Sequence, residues 1–133
     1  MTFAVAPFYA GLLGLMLPVL SLRVVRLRRR LQVGLGDGGD DALLRAMRVQ
    51  GNFIEYAPLG LLLIFAVEAL AYPAWLVHLL GIALVAGRVA HAVGLNRSAG
   101  ASAGRVAGMV LTLNAIIAAA ALCLIGAVWR WLA

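Results

Sequence analysis

The chain has 133 residues, 65% of them hydrophobic and 12% charged. Soluble domains carry about 25% charged residues, so a water-soluble globular enzyme is excluded, and the length bounds the chain to one domain. The formal net charge of +6 comes entirely from arginine. Because the basic run lies beside an apolar span, it points to anionic lipid headgroups and not to nucleic acid.

Crossing the hydrocarbon core takes about 20 apolar residues. By that measure the spans fall at roughly 3–27, 44–71, 74–95 and 104–131. The first has no charge from Phe3 to Leu22 and is followed by Arg26, Arg28, Arg29 and Arg30. A signal peptide has its positive charge before a short apolar region, so a retained anchor is expected. "QVGLGDGGDD", residues 32–41, is a flexible connection, with Asp40 or Asp41 suited to cap the second helix. It lacks the Lys-Ser/Thr ending of a phosphate-binding loop. Tyr72-Pro73 makes a tight turn into the third span, and residues 94–104 form a small polar loop into the fourth. Pro18 and Pro58 lie inside helices and are expected to kink them. Arginines flank the first and third connections, which puts those loops in the cytoplasm and both termini outside. Trp75, Trp129 and Trp131 gather toward the outer side, as an aromatic belt does.

The second span begins with an unusual polar stripe. At about 100° per residue, Arg45, Arg48, Asn52, Glu55 and Tyr56 share one face about 100° wide. Gln50 points away, toward whatever packs on that side. Ionisable groups in a membrane helix cost several kcal/mol unless paired or hydrated, so this stripe is either buried in protein or lines a polar pocket. Two readings follow. In one, Arg45 or Arg48 pairs with Glu55 to hold helices together. In the other, the arginines grip the carboxylates of a zwitterionic ligand and Glu55 accepts from its ammonium group. On the third span Arg88, His91 and Leu95 share a face, and Arg88 is placed to pair with Glu55 or Glu68. His91 is read as a helix-packing histidine, His78 as interfacial and Glu68 as a solvated cap. Thr112 and Asn114 are read as interhelical glue. The lone Cys123 is a small buried residue. Two histidines and one cysteine without ligand spacing give no metal site.

"RVQGNFIEYAPL", residues 48–59, resembles the second-helix signature of the MAPEG family, the membrane-associated proteins in eicosanoid and glutathione metabolism. Arg48, Asn52, Glu55, Tyr56 and Pro58 match that signature, and Gln50 matches its leukotriene-synthase branch. "SLRVVRLRRRL" (21–31), "GRVAHAVGLNRS" (87–98) and "GRVAGMVLT" (104–112) resemble the family's helix-one end, helix-three end and bacterial-type helix-four start. The resemblance implies an all-α integral membrane fold. It would be one four-helix transmembrane bundle over residues 1–133, assembled as a homotrimer in a bacterial inner membrane.

It also implies a glutathione transferase-like activity, with peroxide reduction as a second chemistry. Glutathione would bind between subunits near the cytoplasmic surface. Arg48, Gln50, Asn52, Glu55 and Tyr56 would hold it, with Arg28 or Arg29 from helix one. Arg105 matches the arginine that stabilises the thiolate, and a hydrophobic small molecule would be the acceptor. His91 and Leu95 stand where animal members have tyrosines, and Met109 where prostaglandin synthases have one. The specific eicosanoid activities are therefore not expected. The alternative is a non-catalytic helical membrane protein that binds a lipid or a partner through the same stripe.

Overall fold

The computed structural model describes residues 4–97, 100 and 102–132. Phe3 of the first expected span and Ser98, Ala99 and Ala101 of the third connection lie outside the described residues. Four helices follow one another: α1 (Val5–Leu31), α2 (Asp41–Ala69), α3 (Ala74–Arg97) and α4 (Ala103–Leu132). All four are long and apolar enough to cross a membrane. Helices α2 and α3 are central. α1 packs on both, α4 packs on both, and α1 and α4 do not meet.

The helix ends show why each segment starts and stops where it does. α1 runs four residues beyond its apolar stretch, through the arginine run. Arginine is a good helix former, and positive charge in the last turn suits the helix dipole. Gln32 then closes the helix in a left-handed conformation (φ 55°). α2 starts at Asp41, and the side chain of Asp40 accepts from the Leu43 N–H at 2.8 Å. α1 lacks a side-chain cap from its own sequence. Instead Glu68, near the end of α2, accepts from the backbone N–H groups of Ala4 (2.9 Å), Val5 (2.9 Å) and Ala6 (2.7 Å). The expected solvated cap is thus a cross-helix cap. Nearby, the Tyr9 hydroxyl and His78 Nδ1 are hydrogen-bonded at 2.9 Å. Both α1 and α2 continue through their prolines, Pro18 and Pro58.

Helices α3 and α4 make the most extensive contact, and glycine is the reason. A Cβ on Gly87 would lie 2.9 Å from the Gly108 carbonyl, and one on Gly108 2.6 Å from the Gly87 carbonyl. A Cβ on Gly94 would collide with the backbone nitrogen of Arg105. Such backbone-to-backbone packing through small residues drives association where lipid removes the hydrophobic incentive. It also brings Arg105 against the end of α3.

The apolar core runs between α1, α2 and α3 through Leu13, Leu20, Phe53, Ile64, Leu80 and Leu84, and reaches α4 at Ala115 and Ala119. The outward faces of all four helices carry exposed apolar side chains, among them Leu15, Leu62, Ile82 and Ile117. Trp75, Trp129 and Trp131 are exposed at the end of the bundle opposite the 32–40 loop.

The cross-helix cap gives a direct expectation. Glu68→Ala removes the acceptor for three N–H groups and should cost about 1–2 kcal/mol, as lost helix caps do. Amides of residues 4–6 should exchange faster in hydrogen-exchange mass spectrometry. Glu68→Gln, which keeps one acceptor oxygen, should show a smaller change.

Candidate functional site

A cavity of about 210 Å³ opens at the end of the bundle that carries the 32–40 loop. Asp41, Leu44, Arg45, Arg48 and Asn52 line it from α2, His91 and Leu95 from α3, and Arg105 from α4. One-turn spacing along α2 stacks Arg45, Arg48 and Asn52 toward the gap, as the helical stripe requires. The glycine seam of α3 and α4 supplies the opposite wall. Guanidinium groups of Arg45, Arg48 and Arg105 have no side-chain partner among the described residues. Asp41 is the lone carboxylate in the lining. The cavity is therefore strongly positive and rich in donors.

Below it lies a buried guanidinium. Arg88 is 2% exposed. Its Nε donates to Thr112 Oγ1 at 3.0 Å, and its Nη1 to Asn52 Oδ1 at 2.6 Å and to the Asn52 carbonyl at 3.3 Å. Its Nη2 contacts Met109 Sδ at 3.4 Å. The guanidinium carbon lies 5.5 Å from the centre of the Tyr56 ring, a cation–π distance. The expected pairing of Arg88 with Glu55 or Glu68 is not present. Glu68 caps α1, and Glu55 is exposed with no hydrogen bond or ion pair among the described residues. Nor do Arg45 or Arg48 pair with Glu55. Polar neutral groups and an aromatic face meet the charge in place of a carboxylate.

The sequence-predicted residues thus divide. Arg48, Asn52 and Arg105 share the cavity. Tyr56 packs beside Arg88, one turn deeper. Glu55 points out of the bundle. Gln50 donates to Ser21 Oγ at 2.8 Å, so it faces α1 of its own chain and not a neighbouring one. Arg28 and Arg29 lie on a different depression, with Val25, Gln32, Val33 and Gly34. Arg28 is engaged there: its Nη1 donates to the carbonyls of Gly36 (2.9 Å), Gly34 (3.3 Å) and Val33 (3.5 Å). Its Nη2 contacts Met47 Sδ at 3.3 Å. Arg29 is exposed.

Arg45, His91 and Leu95 belong to the cavity as much as the matched residues do. Sequence held the signal for each, since Arg45 lies on the stripe and His91 and Leu95 share a face with Arg88. The part-buried Asn52–Arg88 contact had no such signal, because it depends on the register of α2 against α3. His91 is 4% exposed yet lines the cavity, so helix packing and site lining are one position here.

The MAPEG family model matches residues 6–125. The chain belongs to the MAPEG family. It is 41% identical over 92 residues, 69% of its length, to the "Inner membrane protein YecN" of Escherichia coli K12, of which 70% is covered. The protein of that name from Escherichia coli O6:H1 gives the same figures. The family includes glutathione transferases, and its members use glutathione. The four helices seen here are those of a MAPEG membrane protein, and the cavity lies on the helix-two segment that carries the family motif.

Arg28 and Arg29 are separable by experiment. Arg28→Ala removes the tether of the 33–36 carbonyls, and amide exchange across residues 33–37 should rise about tenfold, as for loss of roughly one net hydrogen bond. Arg29→Ala should leave that exchange unchanged.

Proposed function

We propose that the protein is a glutathione transferase-like membrane protein that binds glutathione in the α2–α3–α4 cavity and activates its thiol. The observation that carries this reading is the convergence of Arg45, Arg48 and Arg105, all unpaired among the described residues, on one cavity beside Asn52. Unpaired guanidinium groups at the end of a membrane bundle call for an anionic ligand. Arginine holds carboxylates in two-pronged fashion, and glutathione carries two of them. It also carries an ammonium group. Glu55 is exposed and free among the described residues, so it is available for that group.

The same residues support the assembly. An exposed carboxylate on a helix this apolar faces lipid in an isolated bundle, at a cost of several kcal/mol. A neighbouring subunit over Glu55 removes that cost, which fits a homotrimer with glutathione bound between subunits. Arg29 is the helix-one arginine left available for the ligand, since Arg28 is engaged with its loop. Arginine at both the 32–40 and 94–104 connections puts those loops in the cytoplasm and the termini outside. An inner-membrane location agrees with the name of the E. coli relative.

The chemistry asked of the protein is modest. A free thiol has a pKa near 8.5, and only the thiolate attacks. A guanidinium beside the bound sulfur favours the charged form, more so where water is scarce. Arg105, at the start of α4 on the cavity wall, takes this role. The sulfur attacks an electrophilic carbon of an apolar acceptor that partitions into the bilayer, and the leaving group departs with its electron pair. His91 and Leu95 occupy helix-three wall positions, so the tyrosine hydroxyls of animal members are absent from the wall.

Arg105→Ala should raise the thiol pKa of bound glutathione toward its free value. Where the pKa lies above the assay pH, each further unit of rise lowers the thiolate fraction about tenfold. The ultraviolet thiolate absorbance of the complex and turnover with an aryl halide should fall together, with a smaller change in affinity. A wild-type complex without thiolate absorbance would instead mark a binding protein without catalysis. Glu55→Gln should weaken glutathione binding about tenfold, the value of one charge-assisted hydrogen bond, and leave the oligomer seen by native mass spectrometry intact. Loss of the oligomer in that variant would make Glu55 a structural residue.

A further inference from the structure

We infer that Arg88 is a positioning residue: it fixes the direction of the Asn52 carboxamide, so that this side chain offers the cavity its N–H donors and not its oxygen. The consequence for glutathione rests on the function proposed above, whereas the Arg88–Asn52 coupling stands apart from it.

An asparagine side chain has an acceptor at one end and two donors at the other. A half-turn exchanges them. Which end faces a ligand is therefore decided by what holds the other end. Arg88 holds it with a group that can only donate. Its Nη1 reaches both Asn52 Oδ1 (2.6 Å) and the Asn52 backbone carbonyl (3.3 Å). A flipped carboxamide would set N–H against N–H at that short distance.

The guanidinium cannot turn aside either. Thr112 Oγ1 accepts from its Nε at 3.0 Å, and the threonine hydroxyl is itself oriented, donating to the Gly108 carbonyl at 2.8 Å. Met109 Sδ and the Tyr56 ring close the remaining sides. With Oδ1 committed, Nδ2 is the end left for the cavity that Asn52 lines. Donors then come from Arg45, Arg48, Asn52 and Arg105 together, which fits the carboxylate of an anionic ligand.

The choice of asparagine over aspartate now has a physical meaning. Aspartate at position 52 would neutralise Arg88 and form a part-buried ion pair. It would also turn a second carboxylate oxygen, an acceptor, toward the bound anion. Asparagine leaves the guanidinium charge uncompensated and adds no second carboxylate to a lining that already holds Asp41.

The test combines Asn52→Asp, Asn52→Ala and Arg88→Met, singly and in pairs, in the full chain in mild detergent. Two quantities are read: the thermal unfolding midpoint and the affinity for glutathione. Asn52→Asp should keep or raise the midpoint while Arg88 is present. In the Arg88→Met background that gain should be lost, because the part-buried carboxylate then lacks the Arg88 guanidinium it paired with. Asn52→Asp should also weaken glutathione binding about tenfold or more, the loss of one charge-assisted hydrogen bond with repulsion added. Arg88→Met and Asn52→Ala should each weaken binding, and the pair no more than either alone, the non-additivity of groups acting as a unit.

If Asn52→Asp shifts the midpoint equally in both backgrounds, or if the affinity losses multiply, the inference is overturned. Should Arg88→Met not assemble, Arg88→Lys keeps the charge without the two-pronged geometry, and it should fold with the same loss of affinity. Absence of any glutathione binding by the wild type would count against the proposed function. The midpoint comparison would then decide the role of Arg88 by itself.

Discussion

A guanidinium buried between helices without a carboxylate is the constraint around which the site end of this bundle is arranged. Arginine keeps its proton under all ordinary conditions, so Arg88 must be charged where it lies. Withdrawing that charge from water costs several kcal/mol unless its donors are met. Three helices meet them: α2 through Asn52 and Tyr56, α4 through Thr112 and Met109, and α3 by carrying the arginine itself. The glycine seam makes this reachable. Gly87 and Gly108 let the two backbones approach, and Thr112 then stands beside Gly87. A helix pair held further apart would leave Nε without its acceptor.

The charge left uncompensated by Arg88 adds to that of Arg45, Arg48 and Arg105 around the cavity. One aspartate in the lining does not balance them. Fields of like sign in a confined, low-dielectric space add up and favour an anion there. The two glutamates lie elsewhere. Glu68 tethers α1 to α2 at the opposite end, and Glu55 faces outward. Arginines unpaired among the described residues thus mark the site end, and a satisfied glutamate the other.

Hydropathy made the four helices legible, and so did the cap at Asp40. The end of α1 was less so. The expected span stops near Leu27, whereas the helix continues to Leu31 because arginine sustains a helix that apolar counting ignores. At the site, the helical wheel of α2 placed Arg45, Arg48 and Asn52 together, and the structure agrees. The wheel also grouped Glu55 with them. About 60° separates Asn52 from Glu55 on an ideal wheel, enough for one side chain to line a cavity and the other to leave the bundle. The partner of Arg88 was sought among carboxylates, by the rule that charge pairs with charge. A carboxamide, a hydroxyl, a thioether and an aromatic face did the work instead, and nothing in one sequence announces such a set. Arg28 is a similar case: the family resemblance implied a ligand contact, but the loop that folds back onto it is invisible to helical periodicity.

In the proposed function, an arginine-rich cavity recognises the carboxylates of a thiol peptide. A calorimetric titration of the detergent-solubilised protein with glutathione, set beside one with glutathione whose two carboxylates are esterified, addresses it most directly. The expected result is saturable binding of glutathione and a loss of affinity of about a hundredfold or more for the diester, since two charge-assisted contacts are removed. Equal binding of both compounds, or binding of neither, would contradict it.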